Sequence, residues 1–355
     1  MPSRVVMPDF YFVAPHGTGS FSLAYYLKTL GIGCFRQSTR GDIREYIAGQ
    51  THCLGLNIDN SKPSEENEKA CIKRGGVPTV WLVRDPVDLL CSNCNFIISS
   101  SILRCSAWQQ QLPVKYLVPE MLLEYLLLGE VNPYYCNYSS QLLKVKPFPL
   151  LCLDTSELSS EHIESSLRSI WELLERDQER EFVLDTSTVG KNFNSFKSRM
   201  QIFFSQLSLD ECPGIRIHIY TKDYFPYMRY TKMWTENILL FDLYNFTIDG
   251  NTYVLCLQCD NFDMVKKSAE SIFARFEKYI SGYIRMRNSY LQSVSLTLDA
   301  FKITSQRILE ILEADKRLKT HFLRTQHKEL RLVKKFRPNL LERWTSFAQI
   351  GADIW

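Results

Sequence analysis

The stretch from Phe10 to Gly33, FYFVAPHGTGSFSLAYYLKTLGIG, restricts the possible folds more than any other part of the chain. Phe10–Ala14 is a short aromatic and β-branched apolar run, as a buried strand requires. Pro15, His16, Gly17, Thr18, Gly19 and Ser20 follow at once, and from Phe21 the pattern is helical, closing on Gly31 and Gly33. Strand, glycine-bearing turn and helix in direct succession aim backbone N–H groups and the positive end of a helix at one point, where an anion can sit. A Walker A loop would place Lys after its second glycine; here Ser20 follows Gly19.

The first 200 residues continue the same alternation. Strands are expected at Phe10–Ala14, Cys53–Ile58, Thr79–Val83 and Pro149–Leu153, and helices at Phe21–Leu30, Val87–Ser99, Pro119–Leu128 and Glu161–Glu175. Short apolar runs interleaved with helical patterns are the signature of a parallel sheet flanked by helices. After about residue 210 the texture changes. IRIHIYTKD and ILLFDLYNFTIDGNTYVLCLQCD read as strands, the second a hairpin turning at Asp249–Gly250, and from Met264 onward the pattern is helical and amphipathic. The expected fold is therefore α/β: a P-loop-like parallel sheet flanked by helices, with a C-terminal β-hairpin and helical extension. The boundary is expected at SQLSLDECPG, dividing the chain into residues 1–210 and 211–355.

Composition excludes more than it selects. Charged residues make up 23% and hydrophobic ones 45%, as in an ordinary globular protein, and a net charge of +3 does not call for nucleic acid. No apolar run approaches the roughly 18 residues of a membrane span, and MPSRVVMPDFYF leads into the first strand without the pattern of a signal peptide. A cytoplasmic protein is expected. The eleven cysteines are scattered. Cys91/Cys94 and Cys256/Cys259 form CxxC pairs, but they lie too far apart for a zinc ribbon and are expected to be packed thiols, with no metal. Lys316–Arg337 carries nine Lys or Arg against one acidic residue, Glu329. It is either a solvated helix face or a surface for something anionic: an acidic glycan, or the inner face of a membrane.

The second informative stretch is VWLVRDPVDLLCSNCNF, Val80–Phe96. An apolar strand ends in Arg84-Asp85-Pro86, Pro86 opens a helix, and Ser92 lies two turns into it. A guanidinium at a strand end and a hydroxyl on the following helix can reach one phosphate together.

A strand ending in Arg-Asp-Pro with Ser eight residues after the Arg resembles the 3′-phosphate-binding motif of sulfotransferases that use 3′-phosphoadenosine 5′-phosphosulfate (PAPS). Ser92-Asn93-Cys94-Asn95-Phe96 keeps the frame of the Ser-x-x-His-Phe found in cytosolic members, with Asn95 in place of His. The stretch from Pro15 to Leu23 resembles the phosphosulfate loop, Pro-Lys-x-Gly-Thr-Thr-x-Leu. Depending on the alignment, Gly17 or His16 stands where the family has Lys. Thr51-His52-Cys53-Leu54 is similar to the segment that carries the catalytic base, and imidazole suits that role because its pKa lies near neutral pH. Lys191 is the nearest counterpart to a late phosphate-closing segment, and Asp154–Leu158 resembles a structural strand-end stretch. The loop with Arg-Asp-Pro is also similar to bacterial sulfotransferase-like proteins linked to surface polysaccharides. The resemblance covers roughly residues 10–200.

The resemblance implies transfer of a sulfuryl group from PAPS to an acceptor hydroxyl, on a carbohydrate or surface glycan. His16, Gly17, Thr18, Gly19, Ser20 and Phe21 would hold the phosphosulfate, and Arg84 and Ser92 the 3′-phosphate. His52 would be the base, with His16 offsetting charge on the leaving group. The alternative is a non-catalytic nucleotide- or glycan-binding protein on the same fold. A P-loop kinase is disfavoured, because the chain has no Gly-Lys-Ser/Thr.

Overall fold

The computed structural model describes residues 9–15, 17–36, 53–58, 77–107, 118–129, 142, 149–174, 182–183, 205–208, 215–221, 240–259 and 269–351. They fall into two compact units that are discontinuous in sequence. The first comprises Met1–Gln37, Asp42–Asn192 and Phe301–Trp355, and the second Ser38–Gly41 and Phe193–Ala300. The division expected near residue 210 differs from this arrangement in two ways. Residues 301–355 belong with the N-terminal sheet, and Ser205–Ser208, inside the expected linker, is a strand of the second unit.

The first unit is built on a parallel sheet of β1 (Phe10–Val13), β2 (Ile32–Arg36), β3 (Cys53–Ile58), β4 (Thr79–Val83) and β5 (Leu150–Asp154), in the order β2-β3-β1-β4-β5. Every residue of β1 and β4 is buried. That explains their unbroken apolar sequences, FYFV and TVWLV, since a strand covered by helices on both faces has no polar side. β2 was not expected. Its sequence, IGCFR, follows the helix after only Leu30 and Gly31, and Gly31 makes the turn at φ 74°.

The helices of this unit are α1 (Ser20–Thr29), α2 (Pro86–Ala107), α3 (Pro119–Leu128) and α4 (Ile163–Leu174). α4 buries Ile163, Ser166, Leu167, Ile170 and Trp171, the i, i+3, i+4, i+7, i+8 stripe of an amphipathic helix.

The second unit holds an antiparallel sheet of β6 (Ser205–Ser208), β7 (Ile215–Thr221), β8 (Leu240–Ile248) and β9 (Asn251–Cys259), in the order β6-β7-β9-β8. β8 and β9 pair across Asp249–Gly250, both at positive φ (48° and 79°), as a tight two-residue turn requires. One face of this sheet buries Ile217, Ile219, Phe246, Ile248, Tyr253 and Leu255 against Ile272, Ile280 and Ile284 of α5 (Ala269–Ala300), a helix kinked at Phe276.

Five short helices end the chain: α6 (Ser305–Ala314), α7 (Lys316–Glu329), α8 (Arg331–Phe336), α9 (Pro338–Arg343) and α10 (Thr345–Gly351). α6 and α10 pack on α2, and α7 packs on α3. Three of the nine basic residues of Lys316–Arg337 form ion pairs within the first unit. Arg317 bonds Glu124 at 2.6 Å, Lys319 bonds Glu313 at 2.6 Å, and Arg337 bonds Glu157 at 2.8 Å. Among the described residues, no helix is long and apolar enough to cross a membrane.

Candidate functional site

Strand order places the site. β3 and β4 are the two neighbours of β1, and the crossovers after β1 and β3 lead to opposite sides of it. The position beyond the C-terminal end of β1 is therefore the one where ligands of open parallel sheets collect. The loop that fills this position runs from Ala14 to Gly19.

Gly17 and Gly19 have φ of 90° and 80°, values that side chains other than glycine rarely adopt. Thr18 folds the loop on itself: its amide donates to the Pro15 carbonyl at 3.2 Å and its hydroxyl to the same oxygen at 2.7 Å. The Gly19 carbonyl accepts from the Leu23 amide at 3.1 Å and so begins α1. The first turn of such a helix presents amides that have no partner within the helix.

Two neighbours grip the loop. From the end of β4, Arg84 Nη1 donates to the Gly17 carbonyl at 2.8 Å. From the end of β5, Thr155 Oγ1 lies 2.9 Å from the Thr18 carbonyl and 3.0 Å from that of Val83. Space around the glycines is tight. A Cβ on Gly17 would lie 3.1 Å from Leu89 Cδ1 and 3.4 Å from Ser92 Oγ. A Cβ on Gly19 would lie 3.4 Å from Leu158 Cδ1 and 3.6 Å from Thr155 Cγ2.

Among the residues singled out from sequence, the fold thus gathers Gly17, Thr18, Gly19, Ser20, Arg84 and Ser92 at one edge of the sheet. Phe21 lies on α1, with its backbone in the first turn. His16 and His52 lie outside the described residues, as does Lys191. Cys53, which follows His52 in sequence, opens β3 in register with Ile32, at the edge opposite the loop; Ile58, at the other end of β3, pairs with Val13.

Residues around Arg84 that sequence reasoning left aside prove well connected. Asp85 is buried, and its carboxylate accepts from the Val87 amide at 2.9 Å and the Phe347 amide at 3.0 Å. Burial raises its pKa to about 6, Asp88 nearby adds to the rise, and the backbone hydrogen bonds oppose it. Asp88 accepts from Ser305 at 2.6 Å and Ser346 at 3.1 Å. Asn95, in the frame position where the resemblance has His, is engaged at both ends of its amide: Nδ2 donates to the Ile303 carbonyl at 2.8 Å and Oδ1 accepts from the Ile303 amide at 2.9 Å.

Asp154 and Glu157 form a reciprocal capping box on the turn Thr155–Leu158. The Asp-x-x-Glu spacing in DTSEL carries that signal, whereas the contact of Thr155 with the loop has no local signature. Cys91 donates to the Ile303 carbonyl at 3.2 Å. Cys94 is wholly buried, and burial pushes its thiol pKa well up, so it stays a neutral packed thiol. Among the described residues, no group of three or more His, Cys, Asp or Glu could hold a metal ion.

Residues 185–350 match the model of a family described as a protein of unknown function, DUF2972. That segment takes in the antiparallel sheet, α5 and nearly all of the terminal helices, and leaves out the loop, Arg84 and Ser92. No curated protein and no solved structure matches the chain.

Proposed function

We propose that the site beyond β1 binds PAPS in a P-loop-like manner, and that the chain transfers its sulfuryl group to an acceptor hydroxyl on a carbohydrate or surface glycan. The observation that carries this reading is the meeting of Arg84 and Ser92 at Gly17: the guanidinium on the Gly17 carbonyl, and the hydroxyl 3.4 Å from where a Gly17 Cβ would stand. The eight-residue spacing quoted from sequence thereby acquires a spatial meaning.

In the proposed reaction the acceptor oxygen attacks sulfur in line, and the bond from sulfur to the bridging phosphate oxygen breaks. Adenosine 3′,5′-bisphosphate departs. The loop amides and the positive end of α1 stabilise the phosphosulfate charge, and Arg84 and Ser92 hold the 3′-phosphate. His16, adjacent in sequence to Gly17, would offset charge on the leaving phosphate. His52, outside the described residues, would take the acceptor proton as the hydroxyl attacks.

With Gly17 or His16 standing where the resemblance has Lys, a second reading is nucleotide or glycan binding without transfer.

Thermal shift with adenosine 3′,5′-bisphosphate, compared with ATP and Mg²⁺, separates the readings. The bisphosphate should stabilise the wild-type chain. Arg84→Ala should weaken binding by roughly tenfold or more, as expected for a lost charged hydrogen bond, and Ser92→Ala by less. Stabilisation without sulfuryl transfer to any glycan hydroxyl supports the binding reading. A response only to ATP and Mg²⁺ would replace both with a phosphoryl-transfer enzyme.

A further inference from the structure

The loop is held by its carbonyls. A trans peptide points its N–H away from its C=O, so fixing the Thr18 carbonyl also fixes the direction of the Gly19 amide. Arg84 and Thr155, the residues that hold the Gly17 and Thr18 carbonyls, each stand at the end of a strand.

Beside each of them in sequence is a buried aspartate, Asp85 and Asp154. Both aspartates are bound by one short stretch far along the chain. Asp85 Oδ2 accepts from the Phe347 amide at 3.0 Å, and Asp154 Oδ2 accepts from the Trp344 indole N–H at 2.7 Å. Asp154 Oδ1 is already taken by the amide and hydroxyl of Ser156. Asp88, on the first turn of α2, accepts from Ser346 between them. Trp344 and Phe347 are themselves buried. One segment thus supplies a donor to the ends of two adjacent parallel strands, at the edge where the loop lies.

We infer that Trp344–Phe347 is a positioning element for the loop: Trp344 acts through Asp154 and Thr155 on the Thr18 carbonyl, and Phe347 acts through Asp85 and Arg84 on the Gly17 carbonyl. Trp344 and Thr155 are positioning residues and need not touch a ligand. The inference rests on the proposed function only for what the loop binds.

Hydrogen exchange of the loop tests this without nucleotide. Trp344→Phe removes the indole donor and keeps an aromatic ring. Leu340→Ala, in the preceding helix, removes packing but no donor and serves as the control for global stability. At denaturant-matched stability, residues 14–23 should exchange roughly tenfold faster in Trp344→Phe than in Leu340→Ala, the loss expected of a hydrogen bond to a charged group. Equal exchange in the two variants would overturn the inference. If Trp344→Phe does not fold, Thr155→Val decides, since it cuts the same chain of contacts at the loop. Faster loop exchange supports the proposal, and exchange at the wild-type rate rejects it. Failure to bind the bisphosphate would remove the functional reading while leaving this result intact.

Discussion

At Gly17 two constraints act on one residue. Its φ of 90° is strained for any side chain, and the space a Cβ would need lies 3.1 Å from Leu89 Cδ1. Leu89 is fully buried and cannot swing away. Gly19 shares the strained φ, but its nearest neighbour would stand at 3.4 Å, an ordinary contact. Gly17→Ala should therefore cost about 2–3 kcal/mol and Gly19→Ala about 1–2 kcal/mol. Urea unfolding of the two variants checks the order, and equal losses would mean that the Leu89 contact carries no weight.

Asp85 provides a second test at this scale. Its folded pKa of about 6 lies above the ordinary 3.8, so the folded chain holds the proton more tightly than the unfolded one. Its contribution to stability is fully present below about pH 4 and is lost as pH rises through about 6, a swing on the order of 3 kcal/mol. Asp85→Asn cannot ionise. Relative to wild type it should gain stability between about pH 4 and about pH 6 and hold that gain above, and parallel stability curves would contradict the shift.

Among the elements, α2 carries more connections than its place after β4 suggests. Asp88 and Asn95 face the terminal helices and bond Ser305, Ser346 and the backbone of Ile303. Asn95→Ala leaves the Ile303 amide and carbonyl without these partners, so a loss of about 1–3 kcal/mol in thermal or urea unfolding is expected. A change within a few tenths of a kcal/mol would show that water replaces the side chain.

These connections explain what the sequence could and could not reveal. β1 and β4 were legible because a strand buried on both faces writes an unbroken apolar run. The loop was legible because its glycines are local necessities. β2 was hidden because Ile32–Arg36 is brief and its pairing with β3 is set by the fold rather than by its own alternation. The Asn95–Ile303, Asp154–Trp344 and Asp85–Phe347 contacts join residues 208, 190 and 262 positions apart, and no local period announces a partner at that distance. For the same reason the resemblance gave Thr155 only a place in a structural strand-end stretch, and its grip on Thr18 emerged only in three dimensions.

On the scale of the whole chain, the sequence that changes texture near residue 210 does not divide there. Phe301–Trp355 returns to the first unit, and the family match over residues 185–350 covers Phe193–Ala300 of the second unit together with parts of the first. The terminal helices bury Leu312, Leu318, Phe322, Leu340 and Phe347 in that unit. At about 1.5–3 kcal/mol for each fully buried side chain of this kind, the group is worth as much as the whole net stability of a typical domain, about 5–15 kcal/mol. A chain ending at residue 210 would lose this and strip Asp85, Asp88 and Asp154 of their distant donors. It should show no cooperative unfolding transition. A chain in which residues 193–300 are replaced by a flexible Gly/Ser linker of about 20 residues keeps every contact within the first unit, and long connections cost little closure entropy. It should unfold in a single cooperative step, followed by far-UV circular dichroism in urea. A cooperative transition in the 1–210 chain, or none in the linked one, would show that the terminal helices are not part of the core they cover.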